Sequence, residues 1–151
     1  METLEPLLAI HPFLKGLEPD HLKLIVGCAL NKVFDPGDYL SHEGQDADLF
    51  YFIREGKVVV EIYSPLHGPI VIQTLTGGEI LGWSWLVPPY HWRFDARAVE
   101  QTKAIVMDGK CLREKCEKDH DLGYELMKRF AEIIADRIEA TRLQLMDIYG
   151  K

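Results

Sequence analysis

Between Phe34 and Ile62 the chain reads FDPGDYLSHEGQDADLFYFIREGKVVVEI, and this stretch restricts the fold more than any other. Gly37, Gly44 and Gly56 each stand beside a run of alternating apolar residues. Glycine suits turns that need a positive φ or a close backbone approach. Phe50 and Phe52, then Val58, Val60 and Ile62, recur at every second position. That period puts each set on one face of a strand. Short strands joined by tight turns predict a small antiparallel barrel.

The same period continues from Lys32 to Met107, with frequent Gly and Pro. Candidate strands fall at Lys32–Phe34, Tyr39–Ser41, Asp48–Glu55, Lys57–Tyr63, Ile70–Leu75, Glu79–Leu81, Phe94–Ala98 and Lys103–Asp108. Strands this short and this closely spaced argue for a barrel or jelly roll. The flanks read as helices. Thr3 to His11 predicts a short one, ended by Pro12. Leu17 to Ala29 predicts a second, with Pro19 at its opening and a buried stripe of Leu22, Leu24, Ile25 and Ala29. After the strands, Lys110 to Glu117 predicts a turn or two of helix. Asp119 or Asp121 can then cap a long helix reaching Tyr149.

Along that helix Met127, Ala131, Ile134, Ile138, Thr141, Leu145 and Ile148 keep a 4,3 spacing. This is a heptad seam, suited to the same helix of a second copy in a parallel homodimer; the other reading is a lone amphipathic helix packed on its own domain. Leu126, Phe130 and Ile133 form a second apolar edge, expected to face the barrel. The expected fold class is mainly β with flanking helices: an eight-stranded antiparallel jelly-roll barrel followed by a long C-terminal helix. Residues 1–118 would hold the N-terminal helices and barrel, and 119–151 the dimerisation helix, as a single domain overall.

Composition narrows the function. With 151 residues and a formal net charge of −7, the chain fits one domain with a terminal extension. An acidic balance works against non-specific contact with nucleic acid or anionic membranes. No apolar run approaches the roughly 18 residues of a membrane span, and the N-terminus lacks a basic flank and cleavage site. A cytoplasmic protein without a membrane partner is the expectation. The cysteines, Cys28, Cys111 and Cys116, are an odd count without a CxxC pair. They predict neither a disulfide framework nor a zinc site but a reducing cytoplasm, and Cys28 reads as a small core residue within LIVGCAL. The six histidines (His11, His21, His42, His67, His91 and His120) include no HxH pair, and no Ser/His/Asp or Cys/His arrangement stands out. Neither catalytic residues nor metal ligands are assigned, and no enzyme is predicted.

The chain resembles the cyclic-nucleotide-binding domain family, in particular the sensor half of the bacterial catabolite-activator and fumarate–nitrate regulators. The resemblance rests on Phe34-Asp-Pro-Gly37, Gly44, Ala47-Asp48 before Phe50-Tyr51-Phe52-Ile53, Gly56-Lys57-Val58, and Gly78-Glu79 before Ile80-Leu81-Gly82. It implies that an anionic ligand phosphate would sit at a short helix within the barrel, on exposed N–H groups at the positive end of the helix dipole. A family glutamate would hold the ribose hydroxyl and a family arginine the phosphate.

At those positions this chain departs. The residue after Gly82, where the family carries glutamate, is Trp83. Indole has one N–H donor and no acceptor, so it cannot accept a ribose hydroxyl's bond. Counting forward from Gly82 makes Arg93 the phosphate partner, whereas counting back from Arg97-Ala98 puts Trp92 there. Asp95, two residues beyond Arg93, would weaken anion binding unless paired, and Arg97 is its candidate partner. All three tryptophans crowd into this cassette beside Tyr90 and Phe94. Three readings stay open: a pocket filled by its own indoles, a pocket rebuilt for another small ligand, and a retained cyclic-nucleotide site.

The ligand-facing set read from the sequence is Gly82, Trp83, Ser84 and Arg93, with Trp85 and Trp92 as walls. The resemblance adds Thr141 and Arg137 as contacts from the long helix. No cofactor is assigned beyond a cyclic nucleotide or other small ligand in that pocket; His91 is the cassette's one candidate haem ligand. The function expected is a non-enzymatic sensor or regulatory module with an altered or self-filled pocket. The alternative is a working cAMP or cGMP regulator that acts through a partner protein. Related regulators continue into a helix-turn-helix domain, whereas this chain stops at Lys151. The long helix also mixes acidic and basic residues, so no direct nucleic acid binding is expected.

Overall fold

The computed structural model describes residues 4–150. Two short helices, α1 (Leu4–Ala9) and α2 (Pro19–Val26), precede eight strands. These are β1 (Ala29–Phe34), β2 (Tyr39–Ser41), β3 (Leu49–Glu55), β4 (Lys57–Ser64), β5 (Gly68–Thr76), β6 (Ile80–Leu81), β7 (Asp95–Ala98) and β8 (Thr102–Asp108). Helices α3 (Gly109–Lys118) and α4 (His120–Tyr149) complete the chain. Every predicted strand is present. The first helix is shorter than expected, ending at Ala9 before Pro12, and Thr3 lies outside the described residues. Ala29, expected in the second helix, opens β1 instead.

The strands form two antiparallel sheets of four, in the orders β1-β8-β3-β6 and β2-β7-β4-β5. They pack face to face as a jelly roll, and hydrogen bonding does not close them into one barrel. The core lies between the sheets. Phe34, Tyr51, Ile53, Leu81, Ala104 and Val106 from one meet Leu40, Val58, Val60, Leu75, Ala96 and Ala98 from the other. Strand β3 is buried on both faces. Tyr51 and Ile53 point into that core, while Phe52 faces outward against His11 and Phe13, with ring centroids 5.1 and 5.5 Å away. Ile62, expected to line the core with Val58 and Val60, is exposed. Strand β7 pairs with β4 only from Val58 to Glu61, so the β4–β5 hairpin runs on past the sandwich.

One expectation is overturned outright. Cys28 and Cys111 form a disulfide, with Cα atoms 5.9 Å apart and 83 residues between them in sequence. The cause is topological. β1 pairs with β8 so that Ala29 faces Met107, and Asp108 N–H donates to Cys28 O at 2.9 Å. The residue before β1 and the first turn of α3 are thereby neighbours.

Contacts divide the chain into two compact units, one running through Lys115 and the other starting at Cys116. In the second, Asp119 caps α4 by accepting from Leu122 N–H at 3.1 Å. Leu122, Leu126 and Phe130 are its buried residues. Ile134 is half-buried, and the other seam residues, from Met127 to Ile148, are exposed.

Candidate functional site

The segment linking β6 to β7 carries the cassette. Gly82 follows β6 at a φ of +102°, and a Cβ there would stand 2.6 Å from Cη2 of Trp92. No side chain fits, because the indole of Trp92 lies directly on the Gly82 backbone. After Gly82 the chain turns once, Leu86 N–H donating to Trp83 O at 3.0 Å. The short anion-binding helix expected inside the barrel is here a single turn. The segment returns along residues 44–47. Gly44 N–H donates to Trp92 O, Trp92 N–H to Gln45 O and Ala47 N–H to Tyr90 O, all within 2.8 Å.

This backbone fixes which side chains face in. Trp92, Phe94, Ala96 and Ala98 point into the inter-sheet core, and Arg93 is exposed on the opposite side. The indole, not the guanidinium, thus takes the interior place. Trp92 stacks on Tyr51 at 6.4 Å and meets Phe94 edge-on at 5.6 Å; Trp83, half-buried, meets Phe94 at 6.4 Å. Gly82, Trp83 and Trp92 are therefore brought together around Phe94. Ser84 is buried in the turn.

Trp85, read from the sequence as a pocket wall, lies elsewhere. It is fully buried, stacked on Phe50 at 4.6 Å, with its Cβ against Gly109. Arg137 and Thr141 belong to the second unit, where Thr141 Oγ1 donates to Arg137 O one turn back, at 2.9 Å.

Several polar groups around the cassette have settled partners. Arg97 does not pair with Asp95 as expected. Its Nε donates to Oε1 of buried Glu61 at 3.1 Å, and this pair raises the arginine's pKa. Asp95 instead accepts from Glu43 N–H at 2.8 Å and lies 3.9 Å from Nδ1 of His42. Tyr51 donates to Leu40 O at 2.8 Å, and burial pushes its pKa up to about 12. Among the described residues, no group of three or more His, Cys, Asp or Glu is placed to hold a metal ion. His91 lies 3.2 Å from Asp46 at the surface. Sequence reasoning missed Arg113. From α3 it donates to Trp85 O and sits 4.1 Å from the Tyr90 ring, so it holds the segment at two points.

The family model for the cyclic nucleotide-binding domain matches residues 31–119, more than half the chain. The chain belongs to the cyclic nucleotide-binding domain family. A provisionally named cyclic nucleotide-binding protein of Geobacter metallireducens is 30% identical, with a TM-score of 0.80 over 91% of this chain and 99% of that one. The catabolite activator protein of Thermus thermophilus has the same fold, at 21% identity and a TM-score of 0.71 over 92% of this chain and 63% of that one. Human cGMP-dependent protein kinase 2 is 37% identical over 70 residues, 46% of this chain. The match spans only 9% of that kinase. Within this cyclic nucleotide-binding domain, Trp83 follows Gly82 and Trp92 faces inward.

Proposed function

We propose that this domain is a non-catalytic regulatory module whose cassette is filled by its own indoles rather than by a cyclic nucleotide. The observation that carries the reading is the placement of Trp92, buried in the inter-sheet core and lying on Gly82, with Arg93 on the outer side. A phosphate arriving at Gly82 would meet the carbon edge of the Trp92 ring, Cη2 and Cζ3, where an anion needs a charged or N–H donor. A ribose hydroxyl at Trp83 would find no acceptor. In this reading Gly82, Trp83, Ser84 and Trp92 form a closed plug, and Arg93 serves the surface.

The module works in the cytoplasm, without direct contact to nucleic acid, as a homodimer through the α4 seam that acts on a regulatory protein partner. Support for the dimer is the exposed apolar seam; support against nucleic acid is the mixture of Glu132, Asp136, Glu139 and Asp147 with Lys128, Arg129, Arg137 and Arg142 on α4. Among the described residues, no helix is long and apolar enough to cross a membrane. Calorimetric titration with cAMP and with cGMP tests the plug. Neither nucleotide is expected to give saturable heat at micromolar concentration. Saturable micromolar binding of either would overturn the reading and restore cyclic-nucleotide sensing.

A further inference from the structure

Helix α3 is anchored on two sides within the first unit. Toward the N-terminal helices, Cys111 is bonded to Cys28, just after α2, and Lys115 Nζ donates to Leu24 O at 2.7 Å. Toward the cassette, Arg113 holds Trp85 O and the Tyr90 ring. Three residues spaced two apart on α3 therefore join the end of α2 to the turn that carries Trp83 and Trp85.

We propose that the Cys28–Cys111 disulfide is a redox latch on this helix. When it is closed, α3 is pinned and Arg113 holds the cassette turn. When it is open, the first turn of α3 is released and the cassette loosens. The step is thiol–disulfide exchange with a low-molecular-weight dithiol or a pair of monothiols. A reductant thiolate attacks the sulfur of half-buried Cys111, expelling Cys28 as the thiolate, which takes up a proton. A second reductant thiol then displaces Cys111, which is also protonated. Two electrons pass to the protein and the reductant leaves as its own disulfide; a small-molecule disulfide runs the sequence backward.

The latch rests on the cytoplasmic location proposed above, where protein disulfides are mainly transient or redox-sensing. The third cysteine is also kept out of the exchange. Burial, with Asp119 and Glu117 beside it, pushes the Cys116 thiol up to about 11, so it stays protonated at neutral pH.

Tryptophan emission reads the cassette directly, since Trp83, Trp85 and Trp92 are the only tryptophans. The readout uses no ligand, so its failure is separate from a failure of the plug reading. In the full chain, dithiothreitol is expected to shift the emission maximum to longer wavelength and to increase iodide quenching, with the far-ultraviolet dichroism retained. Oxidised glutathione should reverse both. Cys28→Ser and Cys111→Ala should give the reduced signature with or without dithiothreitol. Arg113→Ala should give it while the disulfide is intact. Identical emission in both redox states overturns the latch. So does finding three free thiols after treatment with oxidised glutathione, or loss of the dichroism on reduction, which would make the bond a staple. An Arg113→Ala protein that responds to dithiothreitol as the wild type does overturns the route through Arg113.

Discussion

A side chain on an extended segment must choose one of two faces, and at Trp92 and Arg93 the choice decides which residue lines the core. The larger apolar residue turns inward, where it covers Tyr51 and Phe94, and the guanidinium keeps its hydration. Trp92→Ala is therefore expected to lower unfolding free energy by about 3–5 kcal/mol, read from urea denaturation, because the vacated volume cannot fully collapse. Gly82→Ala should cost about 1–3 kcal/mol by the same measurement, since it adds a positive-φ strain to a Cβ that meets the indole. His11 gives a pH signature. Its Nε2–H donates to Ile53 O and its Nδ1 accepts from Phe13 N–H, both at 3.2 Å, which fixes the neutral ring. Burial lowers its pKa below the usual 6.5, partly offset by its bonds to the Ile53 and Glu79 backbone. The unfolded chain therefore binds the proton more readily than the folded one. The stability His11 contributes is complete above about pH 6.5 and is lost as pH falls from there toward the lowered native value. Urea midpoints should fall between about pH 7 and 5, and His11→Gln should flatten that slope. An unchanged slope would count against the assigned tautomer.

At the level of elements, local pattern and long-range pairing contributed different things. The strands were legible because period-two alternation and glycine turns are local signals, and the cap was legible as Asp119 or Asp121 because a capping side chain reaches only three residues ahead, as Asp119 does to Leu122. Asp119→Ala should accordingly cost about 1 kcal/mol in thermal or urea unfolding, with Asp119→Asn recovering most of it. What was not legible depends on which strands meet. The Cys28–Cys111 bond exists because β1 lies beside β8, a pairing that spans about half the chain and leaves no trace in cysteine spacing. The two-sheet division depends likewise on β7 choosing β2 and β4. In the cassette, counting from Gly82 and counting from Ala98 disagree by one residue, and one residue reverses the face of a side chain. The hydrogen bonds to residues 44–47 and the pairing of β7 with β2 and β4 fix that register. Arg113 and the Glu61–Arg97 pair escaped for the same reason, since each joins elements far apart in sequence.

For the whole molecule, α4 presents two apolar edges with opposite fates. Leu122, Leu126 and Phe130 are buried, whereas the seam leaves Met127, Ile138, Leu145 and Ile148 each about half exposed or more. A 30-residue helix extends roughly 45 Å at 1.5 Å per residue, so the seam is a continuous stripe rather than scattered surface leucines and isoleucines. Its 4,3 spacing fits the facing seam of a second α4, where Ile138 would lie at the centre of the interface and Thr141 one step further along. Sedimentation of the wild-type chain at micromolar concentration is therefore expected to give twice the monomer mass. Ile138→Glu should shift it to monomer, because two carboxylates would face each other across an apolar contact. Leu66→Glu, an exposed apolar position on the β4–β5 hairpin, should leave the mass unchanged and controls for added charge alone. If the wild type sediments as a monomer throughout that range, the seam does not pair with its own copy. If Ile138→Glu remains dimeric, the contact lies on another face of the molecule.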